Sequence, residues 1–339
     1  MPSVRPATRL GSVGLILPTL PQTTKPRWAG ISGSAGLTRS AARDDDGLSP
    51  VAEFAGICRH AEELGASALW ATDHLFWHGP ALESMVSLTV AATATRSAIL
   101  GTCVVQLPLR RAVAVAKQAA SIQHLSEGRM VLGVGVGSHA GEYEQVGIAY
   151  GDRGRQLDAG IAELRRAWAS GDGVEVGDVG AGGAERYRQL PAPQSIPVWV
   201  GGSSEAALRR AATLADGWMP LFLTPTEYGT ALERMAKEVD RAGRAADAVT
   251  RAIVLFVSVD DDAERGRAKG TSWMSSLYGI PAHAFAKHVE CGSAGAIAET
   301  VAAFRQAGAE HVGVYITEDE PLGQFEQLMT ALPAAGITS

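Results

Sequence analysis

Short apolar runs alternate with longer stretches of helical periodicity along nearly the whole chain, and this alternation restricts the possible folds more than any other feature. The runs are Val13–Pro18, Ala68–Ala71, Ala98–Val105, Arg129–Val136, Pro197–Val200, Gly217–Met219, Ile253–Val259 and His311–Ile316. They have the length of buried strands, and several stop at glycine or proline. Between them the apolar period is near 3.6. Val51, Phe54, Ile57, Cys58, Ala61 and Leu64 mark a helix over Pro50–Leu64, with Gly65 as its stop. Further helices are expected at Leu82–Thr95, Arg111–Leu125, Asp152–Ser170, Glu205–Ala215, Thr226–Ala242, Ser293–Gln306 and Gln324–Leu332. Strands that alternate with helices pair in parallel, and eight such units close into a (β/α)8 TIM barrel. A doubly wound open sheet is the other arrangement of the same units.

The chain of 339 residues suits one barrel domain over 1–339 with insertion segments near 19–48, 171–195 and 260–290, the last centred on Thr271–His288. The first is a Gly, Ser, Thr and Pro-rich loop, of the kind that serves as a functional lid or is partly disordered. A net charge of −6 gives no global basic field for nucleic acid or an anionic membrane. No apolar stretch approaches a membrane span. Cys58, Cys103 and Cys291 are far apart and odd in number, so neither a disulfide framework nor a CxxC metal pair is expected, and a reducing cytoplasm fits. Arg110, Arg111 and Lys117 form a local basic cluster, read as a solvated helix face, with a phosphate-bearing ligand as the other use.

In a barrel of this type, function sits where strands end and loops begin. Those junctions are Pro18, Asp73-His74, Thr102-Cys103-Val104, Gly135–His139 and Gly201–Ser204. Gly201-Gly202-Ser203-Ser204 precedes a helix, so backbone N–H groups, serine hydroxyls and the helix dipole can cradle a phosphate. An N-cap with a tight turn explains the same residues. Gly133-Val-Gly135-Val-Gly137-Ser-His-Ala140 loosely matches a dinucleotide fingerprint, but Asp158 falls within a helical pattern and the required second strand is missing. The small residues there are read as letting a planar ring lie close to the strand end. Asp73-His74 pairs a carboxylate with an imidazole that can donate or accept a proton, Asp73 orienting it or bonding to a ligand ring nitrogen. A structural Asp–His bond is the plainer reading. A metal site from Asp73, His74, His78 and His139 has no supporting spacing.

Together these junctions resemble the luciferase-like monooxygenase superfamily, particularly its branch using the deazaflavin coenzyme F420. Leu69-Trp-Ala-Thr-Asp73-His74-Leu-Phe-Trp77 is similar to that branch's second-strand motif, where Asp-His lies against the deazaflavin and the histidine is catalytic. Leu100-Gly-Thr-Cys103-Val104 is similar to its third-strand motif, which implies a non-prolyl cis bond at Cys103–Val104 beneath the central ring. Ala116–Gly137 resembles the fourth unit, while Ile196–Gly202 and Ala215–Trp218 resemble the fifth and sixth, with phosphate at the glycines. The family's sugar-phosphate dehydrogenases carry a glutamate where Ser138 stands and a sixth-loop lysine absent from Pro220-Leu-Phe-Leu-Thr, which disfavours glucose 6-phosphate.

The resemblance implies an F420-dependent oxidoreductase moving a hydride to or from a small organic substrate, in a homodimer. His74 and Asp73 would be catalytic. The cofactor would contact Asp73, Thr102, Cys103, Val104, Val136, Gly137, Ser138, His139, Gly201, Gly202, Ser203 and Ser204. The alternatives are an FMN-dependent monooxygenase fed by a separate flavin reductase, and a non-catalytic flavin-binding barrel.

Overall fold

The computed structural model describes residues 11–20, 50–77, 79–169, 174–175, 186–187, 191, 195–318 and 320–338. Eight strands run parallel and close on themselves: β1 Val13–Ile16, β2 Ala68–Ala71, β3 Ile99–Thr102, β4 Met130–Gly135, β5 Val198–Gly201, β6 Gly217–Met219, β7 Thr250–Val259 and β8 His311–Ile316. β1 pairs with β8 through Val13↔Val312 and with β2 through Leu15↔Leu69. The β6–β7 pairing, Gly217↔Thr250, completes the circle. The closed barrel replaces the open doubly wound alternative.

The pleat explains why these runs read as continuous apolar sequence. Successive side chains point to opposite faces of a strand, and both faces are buried in a barrel. Ile16, Trp70, Val131, Trp199, Met219, Val254, Phe256 and Tyr315 form the interior cluster. Their neighbours Leu15, Leu69, Leu132, Val198, Ile253 and Val314 pack outward with the helices. The interior tryptophans are matched by glycines: a Cβ on Gly101 would collide with the Trp70 ring, and one on Gly217 with Trp199.

The outer helices are α1 Pro50–Glu63, α2 Ser84–Ala94, α3 Ala112–Leu125, α4 Arg153–Ala169, α5 Glu205–Leu214, α6 Pro225–Arg241, α7 Ala294–Gln306 and α8 Leu322–Ala331. All lie within two residues of the ends expected from periodicity, the scatter normal for helix termini. Gly65 ends α1 with φ 96°. Glu62 of α1 accepts the backbone N–H groups of Arg96, Ser97 and Ala98, which ties α1 to the turn before β3.

Three departures from the sequence reading follow. The expected strand Ala98–Val105 is broken: β3 stops at Thr102, the Cys103–Val104 peptide is cis, and Val105–Gln106 pairs separately with β4. The segment centred on Thr271–His288 is largely regular. Helix Ala263–Tyr278, N-capped by Asp262 and closed by Gly279 at φ 65°, leads to strand Val289–Gly292 on the edge of β7. Its glycines obscured the pattern, although Gly270 lets the helix approach Val289 and Ser258. A six-residue helix, Ala140–Gln145, follows β4 in a stretch where no helix was expected. Most of the segments near 19–48 and 171–195, and His78, lie outside the described residues. Among those described, no helix is long and apolar enough to cross a membrane.

Candidate active site

The C-terminal strand ends surround a cavity of about 350 Å³, within the range of small-molecule sites. One wall is polar and comes from the loops after β2, β3 and β4. Asp73 follows β2 and is 4% exposed. It accepts bonds from Ser84 Oγ at 3.0 Å, the Gln106 backbone N–H at 3.2 Å and Arg110 at 2.6 Å. Arg110 also reaches Glu83 at 2.9 Å. Arg110 is therefore not on a solvated face as expected. It is the cation that neutralises a buried carboxylate, while Arg111 and Lys117 are exposed.

Asp73 makes no bond to His74, so it does not orient the imidazole. That contact comes from Glu142, on the short helix Ala140–Gln145, whose Oε2 lies 3.0 Å from His74 Nδ1. Glu142 Oε1 accepts the backbone N–H groups of Leu75 and Phe76 at 2.9 and 3.1 Å. Gln106 Nε2 donates to Glu142 Oε2 at 3.0 Å and to the Asp73 carbonyl at 3.1 Å. Burial raises the Glu142 pKa, but bonds from His74, Gln106 and Phe76 outweigh it and hold the carboxyl below its ordinary range. The His74 ring lies 3.9 Å from that of Trp77, and Trp77 meets His139 edge-on at 4.8 Å.

The floor of the cavity is the Cys103–Val104 segment. The Val104 side chain projects against β4 and β5, where a Cβ on Gly135 or Gly201 would strike it. Gly135 borders the cavity and at the same time makes room for this chain's own Val104. Gly137 borders it as well, at φ 68° and against Gln106 Oε1. Burial pushes the Cys103 thiol up to about 12, so it stays protonated and is no nucleophile at neutral pH.

The opposite wall is aliphatic and aromatic, built from Leu20, Leu221, Phe222, Leu277, Tyr278 and Tyr315. Phe222 stacks on Phe256 at 5.4 Å, and Phe256 on Tyr315 at 5.1 Å. Phe222 holds φ at 61°, a conformation that costs a bulky residue about 1–3 kcal/mol and is typical of ligand sites. Burial also raises the Tyr278 hydroxyl pKa.

Ten of the expected residues border this cavity: Asp73, His74, Cys103, Val104, Val136, Gly137, Ser138, Gly201, Gly202 and Ser203. Three do not. Thr102 is fully buried and donates to the Gly133 carbonyl at 2.7 Å. Ser204 accepts the Ala207 N–H as the N-cap of α5, as in the plainer reading. His139 packs on Trp77 outside the lining. Glu142, Gln106 and the aromatic wall were not found from sequence. Among the described residues no group of three or more His, Cys, Asp or Glu could hold a metal.

A closed parallel barrel with a part-polar, part-aromatic cavity at its strand C-termini defines an α/β-barrel enzyme whose chemistry sits at that face. The sequence profile of the luciferase-like monooxygenase family matches residues 32–336. The chain belongs to that family and is an oxidoreductase. It is 33% identical over 208 residues to an uncharacterised protein of Mycobacterium tuberculosis H37Rv, covering 60% of this chain and 69% of that one. Its fold is similar to that of an F420-dependent secondary alcohol dehydrogenase in complex with an F420–acetone adduct. The TM-score is 0.77 at 16% identity, over 96% of this chain and 99% of that one. It is also similar to a riboflavin lyase with modified FMN and riboflavin, with TM-score 0.70 at 13% identity over 98% and 93%.

Proposed function

We propose that this protein is an F420-dependent oxidoreductase that transfers a hydride between the deazaflavin and a small organic substrate. The observation that carries the reading is His74, an imidazole at the cavity wall with one ring nitrogen anchored in a buried hydrogen-bond network. The deazaflavin supplies the hydride chemistry when bound. His74 manages the proton at the substrate atom that gains or loses charge. Cys103–Val104 forms the ledge under the ring, and Gly201–Ser203 at the start of α5 take the side-chain phosphate.

The residues present fit such a group. Gln106 is 3% exposed, and its Oε1 has no partner. This acceptor stands beside Gly137 at the cavity edge and suits a ring N–H or hydroxyl donor. The aliphatic and aromatic wall suits a substrate with an apolar body. The alcohol dehydrogenase of similar fold, with its F420–acetone adduct, supports this reading.

Fluorescence titration with oxidised F420 and with FMN tests the assignment. Tighter F420 binding is expected. An FMN preference would overturn it in favour of an FMN-dependent monooxygenase supplied by a separate flavin reductase, the reading that the riboflavin lyase with modified FMN supports. A homodimer in the cytoplasm is part of the proposal. Its support is the exposed Val86 of α2 and Val113 of α3, and three cysteines with no disulfide among the described residues. Monomeric elution in size-exclusion chromatography with light scattering would remove the dimer.

A further inference from the structure

We infer that Glu142 is a positioning residue that fixes His74 in the tautomer protonated at Nδ1 and so presents Nε2 to the ligand. The inference rests on the assignment of His74 as the acid–base group. Four donors converge on the Glu142 carboxylate, which is buried with a side-chain exposure of 2%. Leu75 and Phe76 give Oε1 two backbone N–H bonds. Gln106 Nε2 and His74 Nδ1 both lie 3.0 Å from Oε2. A carboxylate held this way is an anion and can only accept, so Nδ1 must be the donor in its contact with His74.

The proton count on Gln106 agrees. Its amide has two hydrogens, and Glu142 Oε2 and the Asp73 carbonyl take both. The remaining 3.2 Å approach of Gln106 Nε2 to His74 Nδ1 is therefore a proximity of two donors and does not set the tautomer. Leu75 and Phe76 directly follow His74, so the segment carrying the imidazole also holds the carboxylate in place. Tyr143 next to Glu142 anchors the short helix by donating to the Val136 carbonyl. With Nδ1 committed, Nε2 is the nitrogen left to accept a proton in neutral His74 or to donate one in the imidazolium. The anion at Nδ1 also stabilises that imidazolium as it forms.

Glu142→Gln gives a sharp expectation. The two N–H groups of Leu75 and Phe76 demand an acceptor, so the new amide turns its oxygen to them and its NH2 to His74. Nδ1 then becomes an acceptor, and the proton moves to Nε2. Side-chain 15N NMR of the ligand-free chain above neutral pH reads this directly. The wild-type protein should show His74 protonated at Nδ1, and the variant should show it at Nε2. Turnover with F420 and substrate should fall about 10²-fold or more, while F420 affinity changes little. A loss of packing alone would not exchange the protonated nitrogen.

Wild-type His74 protonated at Nε2 would overturn the inference, whether or not the variant folds. A folded Glu142→Gln protein that keeps both Nδ1–H and wild-type turnover would do the same. The NMR experiment needs no cofactor, so a failure of F420 to bind refutes the cofactor assignment and leaves the tautomer result standing.

Discussion

Two histidines of the barrel differ in one respect that separates structure from chemistry. His311 begins β8 at the N-terminal floor and is fully buried. Its Nδ1 donates to the Gly11 carbonyl at 2.8 Å, and its Nε2 accepts from Trp70 Nε1 at 3.0 Å. Burial pushes its pKa down to about 4, so it is neutral and both nitrogens are spent. His74 stands at the opposite end of the barrel, after β2. Its Nδ1 is held by Glu142, and among the described residues nothing is bonded to Nε2. The ring borders a cavity. His311 has both nitrogens bonded within the protein, whereas His74 leaves one nitrogen for a ligand. That is the division expected of barrels that keep stability below and catalysis above.

The largest expected effect breaks the mouth. His74→Ala should lower turnover about 10²–10⁴-fold while F420 affinity changes little. His311→Gln, if folded, should keep turnover near the wild-type rate. Unchanged kcat in His74→Ala would remove the assignment. Next comes Arg110→Met, which leaves the buried Asp73 carboxylate without its cation. Breaking a buried pair from one side costs about 3–5 kcal/mol. Urea denaturation should show a loss of that order. A loss below ~1 kcal/mol would mean that Asp73 is hydrated at the mouth and not desolvated like the floor.

The difference between the two ends also governs what the sequence reveals. The barrel was legible because strands buried on both faces read as short continuous apolar runs, while the helices between them impose a period near 3.6. Leu69 and Trp70 point to opposite faces of the pleat and both are buried, so neither interrupts the run. Asp73-His74 and Gly201–Ser203 were legible because strand ends mark the mouth. Glu142 was not, since its partner His74 is 68 residues away and neither pattern links a short helix to a distant loop. Arg110 was misread because it lies beside exposed Arg111, and only the fold shows that it turns toward Asp73. The aromatic wall draws on Phe222, Tyr278 and Tyr315, which come from three separate strand–helix units. Closure of the barrel brings them together, and local sequence holds no trace of that.

A smaller effect tests the floor. An unfolded histidine titrates near 6.5, and folded His311 near 4. Above pH 6.5 both states are neutral and the pKa difference has no effect. As pH falls from 6.5 to 4 the unfolded chain takes up a proton that the fold refuses, so stability drops by on the order of 3 kcal/mol. Denaturation midpoints of His311→Gln should therefore be flatter than wild type across that window. Parallel curves would show that His311 is not held neutral.

The smallest effect concerns the bond that occupies the second nitrogen. Trp70→Phe keeps an aromatic ring against Trp199 but removes the donor to His311 Nε2. One unsatisfied buried acceptor should cost about 1–2 kcal/mol at pH 7. Because the lost bond favoured the neutral imidazole, the folded pKa should rise toward 6.5, and the acid-side slope should become shallower than in the wild type. Burial is the larger cause of the low pKa, so the slope should shrink without vanishing. A slope identical to wild type would show that burial alone keeps His311 neutral. Occupation of the second nitrogen would then be a consequence of position in the barrel, and the contrast with His74 would reduce to depth.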